Sequence, residues 1–301
     1  MKKVIIITGP TGVGKTKLSV MLAKYLNTDI INSDAYQIYK DMNIGTAKPT
    51  LEEMNGVKHH LMDFLSPLSN FSIHDYQIIV REKINEFWEN SKIPIMVGGS
   101  GLYIDSVLYD YRFEDSGRNL DNEKQYDHLS NEELHKLLES LDTYSASKIH
   151  PNNRKRVLRA IELSNNNISN EDRNLKNNPM YDFLLVFLND DREVLYERIN
   201  NRVDIMIKNG LLEEVRNLFP DKLGPQAKKA IGYQELFSYF NNEISKDEAI
   251  SLIKQHSRNY AKRQLTWYRN HENVNFINVD VNNLENTHQE IIKLVEEFMK
   301  K

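Results

Sequence analysis

Residues Gly9-Pro10-Thr11-Gly12-Val13-Gly14-Lys15-Thr16 satisfy the phosphate-loop pattern G-x-x-x-x-G-K-[ST] at each fixed position. Glycines at those places let successive backbone N–H groups converge on phosphate oxygens. The helix that follows adds the positive end of its dipole, Lys15 adds a point charge, and the Thr16 hydroxyl can hold Mg2+. The chemistry is capture of a diphosphate or triphosphate. A glycine-rich turn without a ligand is the alternative, and the Lys-Thr pair between a strand and a helix argues against it. The loop does not name its compound, because kinases, GTPases, ATPases and other transferases all use it. No Asn-Lys-x-Asp tetrapeptide occurs in the chain, which disfavours a GTPase. A nucleotide kinase stays open.

Asp34 is the next residue of interest, in Asn32-Ser33-Asp34-Ala35-Tyr36-Gln37-Ile38-Tyr39. It follows a second short apolar run, and ligands of open α/β sheets bind outside the carboxyl ends of the strands. Gly45-Thr46-Ala47-Lys48-Pro49 forms a polar loop, and Val97-Gly98-Gly99-Ser100-Gly101 places a glycine turn and a hydroxyl after a later strand. Taken singly, Asp34 reads equally as a turn or cap aspartate and Ser100 as a helix cap. His59-His60 with Asp63 suggests a metal site, but adjacent strand residues point to opposite faces, so the pair is read as structural.

Elements that must position these groups are legible from the apolar runs. Val4 to Ile7 is a β-branched run of the kind buried on both faces of a parallel sheet, followed by a helical pattern from Lys15 to Leu26. Further runs at Ile30-Ile31, Ile93 to Val97, Phe183 to Leu188 and Val274 to Val279 alternate with helical stretches such as His74 to Glu89 and Leu284 to Met299. This predicts an α/β fold, a doubly wound, mostly parallel sheet. Ser72 with Asp75, and Ser245 with Glu248, are capping-box signatures of helix starts. From about residue 114 to 178 strand-like runs vanish, asparagine becomes frequent, and helical patterns at Asn131 to Leu141 and Arg154 to Leu163 dominate. The expected organisation is a core of residues 1–113 and 179–301 with a helical insertion at 114–178.

Composition narrows the class. The 301 residues are 40% hydrophobic and 27% charged, and no apolar run nears the roughly 20 residues of a membrane span. Met1 to Ile7 reads as a first strand and not as a signal peptide, because the phosphate loop follows it directly. The chain has 0 cysteines, which removes disulfides, thiolate metal sites and cysteine nucleophiles. Cytoplasmic location is the expectation. With a formal charge of -4, any polyanion site must be local. Between Ala249 and His271 there is no acidic residue, while Lys254, Arg258, Lys262, Arg263 and Arg269 all occur there. Lys254, Arg258 and Lys262, four apart, form a basic stripe on one helix face. Arg154-Lys155-Arg156 with Arg159, and Lys228-Lys229 before Gly232-Tyr233, are further clusters. Each alone reads as a solvated basic surface.

In order along the chain, the phosphate loop, Ser33-Asp34 with Gln37-Ile38-Tyr39, Ile44-Gly45-Thr46-Ala47-Lys48-Pro49, Val97 to Tyr103, His150-Pro151-Asn152, Arg156-x-x-Arg159-Ala160-x-Glu162, Gly232-Tyr233 and Ala261 to Arg269 resemble the tRNA dimethylallyltransferase (tRNA isopentenyltransferase) family of bacterial type. The likeness covers nearly the whole chain. It implies transfer of a dimethylallyl group from its diphosphate to the exocyclic amine of the adenosine 3′ to the anticodon, in tRNAs reading codons that begin with U. By that resemblance Asp34 is the general base, Lys15 and Thr16 hold the diphosphate and Mg2+, Ser100 bonds the leaving oxygen where many members have threonine, and Arg202 clamps the diphosphate. The implied tRNA contacts are Asp34, Ala35, Tyr36, Gln37, Lys155, Arg156, Arg159, Lys229, Gly232, Tyr233, Lys262, Arg263 and Arg269. The implied partners are the tRNA anticodon stem-loop and dimethylallyl diphosphate, with the protein acting as a monomer and without a membrane. An adenylate isopentenyltransferase and a P-loop nucleotide kinase are the competing enzymes. A non-enzymatic nucleotide switch is the third reading, and it leaves Asp34 unexplained.

Overall fold

The structure is a computed structural model that describes residues 1–111, 113, 124–165, 174–280 and 283–301. Element order is β1 (Lys3–Thr8), α1 (Lys15–Tyr25), β2 (Ile30–Asn32), α2 (Leu51–Met54), β3 (His59–His60), α3 (Ile73–Glu89), β4 (Ile95–Val97), α4 (Gly101–Leu108), β5 (Tyr109–Tyr111), α5 (Asn131–Leu141), α6 (Thr143–Lys148), α7 (Arg154–Asn165), β6 (Asn174–Pro179), β7 (Asp182–Asn189), α8 (Arg192–Lys208), α9 (Leu211–Leu218), α10 (Tyr233–Phe240), α11 (Lys246–Arg269), β8 (Val274–Asn278) and α12 (Leu284–Lys300). Among the described residues no helix is long and apolar enough to cross a membrane.

The chain folds as two compact units, residues 1–71, 78–104 and 181–301 in the first and 72–77 with 105–180 in the second. The first unit is built on a six-stranded sheet in the order β3-β2-β4-β1-β7-β8. All of its pairings are parallel, with Ile6 opposite Met96 on one side and Leu185 on the other. Val4, Ile5, Ile6 and Ile7 have no exposed surface, as a central strand covered on both faces requires. The chain leaves β1 for β2 on one side and returns as β7 on the other, so the carboxyl ends of β1, β2 and β4 open at the place where such sheets bind ligands. Helices α1 and α12 close one layer of the core with Leu18, Leu22, Ile291 and Val295. The 24-residue α11 packs along α8 and α10 and carries Ala261, Gln264 and Tyr268 inward.

The second unit has its own small core, Leu134, Leu138, Val157 and Ile161, shared by α5 and α7. Ser130 and Glu133 cap α5 reciprocally. Arg154 donates to the carbonyls of Leu129 and Tyr126, both at 2.7 Å, so this arginine is spent on tying α7 to the segment before α5. In this region the absence of strands does not hold, because β6 pairs antiparallel with β5. Pairing of that kind runs through backbone groups and needs no apolar alternation, which is why an asparagine-rich run concealed it. Residues 114–123 and 166–173 of the expected insertion lie outside the described residues. Ser72 and Asp75 do exchange both cap bonds at the start of α3, whereas Ser245 accepts from the Glu248 N–H without the reciprocal bond of a full capping box.

Candidate active site

The loop after β1 turns at Gly9, where φ is +146° and a Cβ would stand 2.4 Å from the Leu188 carbonyl oxygen, so only glycine fits. Gly14, with φ +100°, then begins α1. Thr11, Gly12, Gly14, Lys15 and Thr16 line a cavity of about 750 Å³. Val13 turns into the core instead, and Gly9 and Pro10 contribute carbonyls that accept from Lys15 Nζ at 2.8 and 2.9 Å. Loss of hydration and the nearby Arg202 charge push Lys15 down to about 7, against the pull of Asp34. A cation held this way gains most when an anion arrives.

Asp34 lines the same cavity. Its turn is fixed from both sides: Asn32 Oδ1 accepts the Asp34 N–H at 3.2 Å, and Asp34 Oδ1 accepts from the N–H groups of Tyr36 at 2.9 Å and Gln37 at 3.3 Å. Burial raises its pKa above the ordinary aspartate value, opposed by those two N–H bonds and by Lys15 and Arg202. The carboxylate is thus a stronger base than an ordinary aspartate while two cations favour its ionised form, the balance a general base needs.

A second cavity of about 400 Å³ adjoins the first. Thr11, Asp34, Thr46, Ala47, Arg202 and Tyr260 line both. Its walls are apolar, from Ile199, Val203, Met206 and Leu211, and the exposed Lys229 and Arg263 stand at its mouth. Volumes in this range and linings of this mixture are typical of small-molecule sites. Arg202 reaches from α8 to donate to Thr11 Oγ1 at 2.9 Å, and burial lowers its pKa while Glu53 and Asp34 raise it. Ser100 sits just before α4, hydrogen-bonded to Tyr260, which itself lines both cavities.

Several expected contacts have other work. Tyr233 is fully buried and donates its hydroxyl to Glu214 at 2.6 Å, so it supports a loop, whereas Gly232, though buried, lines the second cavity. Arg159 is paired with Glu162 at 2.5 Å. The stripe on α11 is broken as a free basic face: Lys254 meets Asp204 at 2.7 Å and Arg258 donates to Asn200 at 2.5 Å, both on α8. Lys155 and Arg156 on α7, and Lys262 and Arg269 on α11, are exposed. His60 is held by Asp29 at 3.3 Å and packs edge-on against Phe87, whereas His59 lines the phosphate-loop cavity. Among the described residues no group of three or more His, Asp or Glu side chains is arranged for a metal ion.

Three site residues escaped the sequence reading. Gln264, buried on α11, accepts from the Thr11 N–H at 3.3 Å and donates to the Gly99 carbonyl at 3.0 Å, joining the turns after β1 and β4. Glu214 on α9 and Tyr260 on α11 are the others; the Ser245 cap and the basic stripe announced helix α11, but neither singles out Tyr260 or Gln264 on it.

The profile of the family described as IPP transferase matches residues 37–271. That span begins beyond the phosphate loop, so the match does not rest on a motif common to many enzymes. A tRNA dimethylallyltransferase of Bacillus anthracis is 46% identical over 98% of this chain and 96% of its own, and one of Bacillus mycoides is equally identical. Among solved structures, the tRNA isopentenylpyrophosphate transferase of Bacillus halodurans superposes with a TM-score of 0.76 at 39% identity, covering 100% of this chain and 99% of its own. A eukaryotic dimethylallyltransferase caught acting on tRNA superposes with a TM-score of 0.83 at 27% identity, covering 100% of this chain and 80% of its own.

Proposed function

The chain belongs to the IPP transferase family, the tRNA dimethylallyltransferases, and we propose on that footing that it moves the dimethylallyl group of dimethylallyl diphosphate onto the exocyclic amine of the adenosine 3′ to the anticodon, in tRNAs reading codons that begin with U. The observation that carries this reading is that Asp34, Thr11 and Arg202 border both cavities. A diphosphate in the phosphate loop and a purine entering from the apolar second cavity then meet at one carboxylate.

In the transfer, the amine nitrogen forms a bond to the allylic carbon while that carbon's bond to the diphosphate oxygen breaks. The amine proton passes to Asp34, and diphosphate departs with the bonding electron pair. Backbone N–H groups of residues 14–16 at the start of α1, with Lys15 and Arg202, face the negative charge as it develops on the leaving group, which is where an easily ionised allylic substrate needs help. Ser100 acts through Tyr260, which it hydrogen-bonds, and Gln264 keeps the loops around the leaving group in register. The donor set fits Mg2+: a cation here would be held by the Thr16 hydroxyl and the diphosphate's own oxygens. When bound, it would neutralise part of the leaving charge.

Stacking on its neighbours in the anticodon loop keeps the adenine from such a pocket, so the target base must swing out of that stack to reach Asp34. Exposed Lys229, Lys262, Arg263 and Arg269, with Lys155 and Arg156 of the 114–178 insertion, supply phosphate contacts for an anticodon stem-loop. The reading is tested by offering Mg2+ and labelled dimethylallyl diphosphate with unmodified tRNA, with AMP, or with ATP and a nucleoside monophosphate. Label on tRNA alone is expected. Label on AMP, or phosphoryl transfer between the nucleotides, would overturn it.

A further inference from the structure

Among the described residues, one carboxylate outside both cavities gathers an unusual set of backbone donors. Glu214 Oε2 accepts from the N–H groups of Asn43 at 2.9 Å and Ile44 at 2.8 Å, and its Oε1 accepts from Gly45 N–H at 3.0 Å and the Tyr233 hydroxyl at 2.6 Å. Three consecutive N–H groups turned toward one anion form a backbone nest, and bonds to a charged acceptor are about twice as strong as neutral ones. The approach is close: a Cβ on Gly45 would stand 2.5 Å from the Tyr233 ring.

What the nest carries is the next stretch of chain. Thr46 and Ala47 line both cavities, and their carbonyls accept from Gln37 Nε2, each at 3.1 Å. Gln37, with Tyr36, supplies the N–H groups that fix Asp34 Oδ1. Lys48 secures the far end of the stretch on the Tyr39 carbonyl at 2.8 Å and on Asp63 at 2.5 Å. Hydrogen bonds therefore run unbroken from α9 through residues 43–47 and Gln37 to the carboxylate at residue 34.

We propose that Glu214 is a positioning residue for the transfer, setting through the 43–47 loop the aim of Asp34 at the acceptor amine. The inference rests on Asp34 being the base. Glu214 touches neither cavity, and although Thr46 and Ala47 of its loop border the phosphate cavity, the bonds that hold Lys15 and Arg202 there run to Gly9, Pro10 and Thr11 and not to that loop. Loss of the nest should therefore disturb the carboxylate and leave the diphosphate grip intact.

Glu214→Gln keeps the side chain's shape but offers one pair of donors an NH2 group in place of an oxygen. Steady-state kinetics on folded protein, checked by its melting profile, should give kcat reduced about 10- to 100-fold, the scale expected of a misplaced catalytic group, with KM for dimethylallyl diphosphate within about twofold. Gly45→Ala, which displaces the same loop while leaving the Glu214 side chain itself unaltered, should reproduce that split and serves if Glu214→Gln does not fold. An unchanged kcat in either folded variant overturns the proposal, as does a KM for the diphosphate that rises in step with a lowered melting temperature, since that marks a role in the fold alone. Asp34→Asn, measured alongside, separates the two claims. If it leaves turnover intact, the base assignment fails; if it stops turnover while Glu214→Gln does not alter kcat, only Glu214 loses its role.

Discussion

Lys15 is the cation whose charge depends most on what occupies the cradle. With a pKa of about 7 it is mostly neutral at pH 8, and a neighbouring diphosphate restores its proton. Calorimetric binding of inorganic diphosphate at pH 8, in buffers of different ionisation enthalpy, should therefore show more proton uptake for the natural protein than for Lys15→Met. Equal uptake would place the titrating group elsewhere. The same shift fixes a sign for stability. Because the folded pKa lies below the ordinary 10.5, the charged form costs the fold something at pH below about 7, and that cost disappears as pH rises toward 10.5. Lys15→Met should melt higher than the natural protein at pH 6, with the difference shrinking toward pH 10. For Asp34 the direction is opposite: its raised pKa puts the acid limb of kcat/KM above the ordinary aspartate range, and Asp34→Asn should abolish that limb. Sequence alone marked both residues, because each lies in a motif whose chemistry depends on residue type. It could not mark Glu214, since an acidic residue in a helix reading Leu-Leu-Glu-Glu-Val resembles any solvated face until the loop it binds is located.

At the scale of elements, α11 does two things that its sequence partly disguised. The basic stripe was legible as a row of positive charge, but Asp204 and Asn200 on the facing helix take up Lys254 and Arg258, and no single-helix pattern can reveal a partner on another element. Gln264, one residue beyond the Lys262-Arg263 pair, carries the structural weight by joining the two glycine turns. Gln264→Leu leaves the Thr11 N–H and the Gly99 carbonyl without that partner, which should cost about 1–3 kcal/mol of stability and raise KM for dimethylallyl diphosphate. Thermal melts with and without inorganic diphosphate, together with steady-state kinetics, measure both effects; a variant with unaltered melting and KM would show the tie to be idle. Strands β1, β2, β4 and β7 were legible because each is an apolar run buried on two faces, whereas β3, the pair His59–His60, carries no such run. Strand β6 was not legible, because its pairing with β5 lies in the backbone and its side chains carry no periodic signal.

For the molecule as a whole, net charge of -4 concealed a surface that reads as nucleic-acid binding only residue by residue. Lys229, Lys262, Arg263 and Arg269 are exposed, so affinity for tRNA should fall steeply with salt, and replacing Lys262 or Arg263 by alanine should each reduce the slope of log K against log salt by about 1. A slope that does not change would remove that residue from the phosphate contacts. The order of motifs along the chain disclosed the family and the parallel sheet. The division into compact units was harder to read, since its boundaries pass inside α3 and α4, where helical periodicity continues without a break. The proposed transfer depends on one carboxylate serving two cavities, and single-turnover transfer by Asp34→Asn tests it most directly. The variant should bind inorganic diphosphate within about twofold of the natural protein and transfer the dimethylallyl group to tRNA about 10^2- to 10^4-fold more slowly. Transfer at the natural rate, or a parallel loss of diphosphate binding, would contradict it.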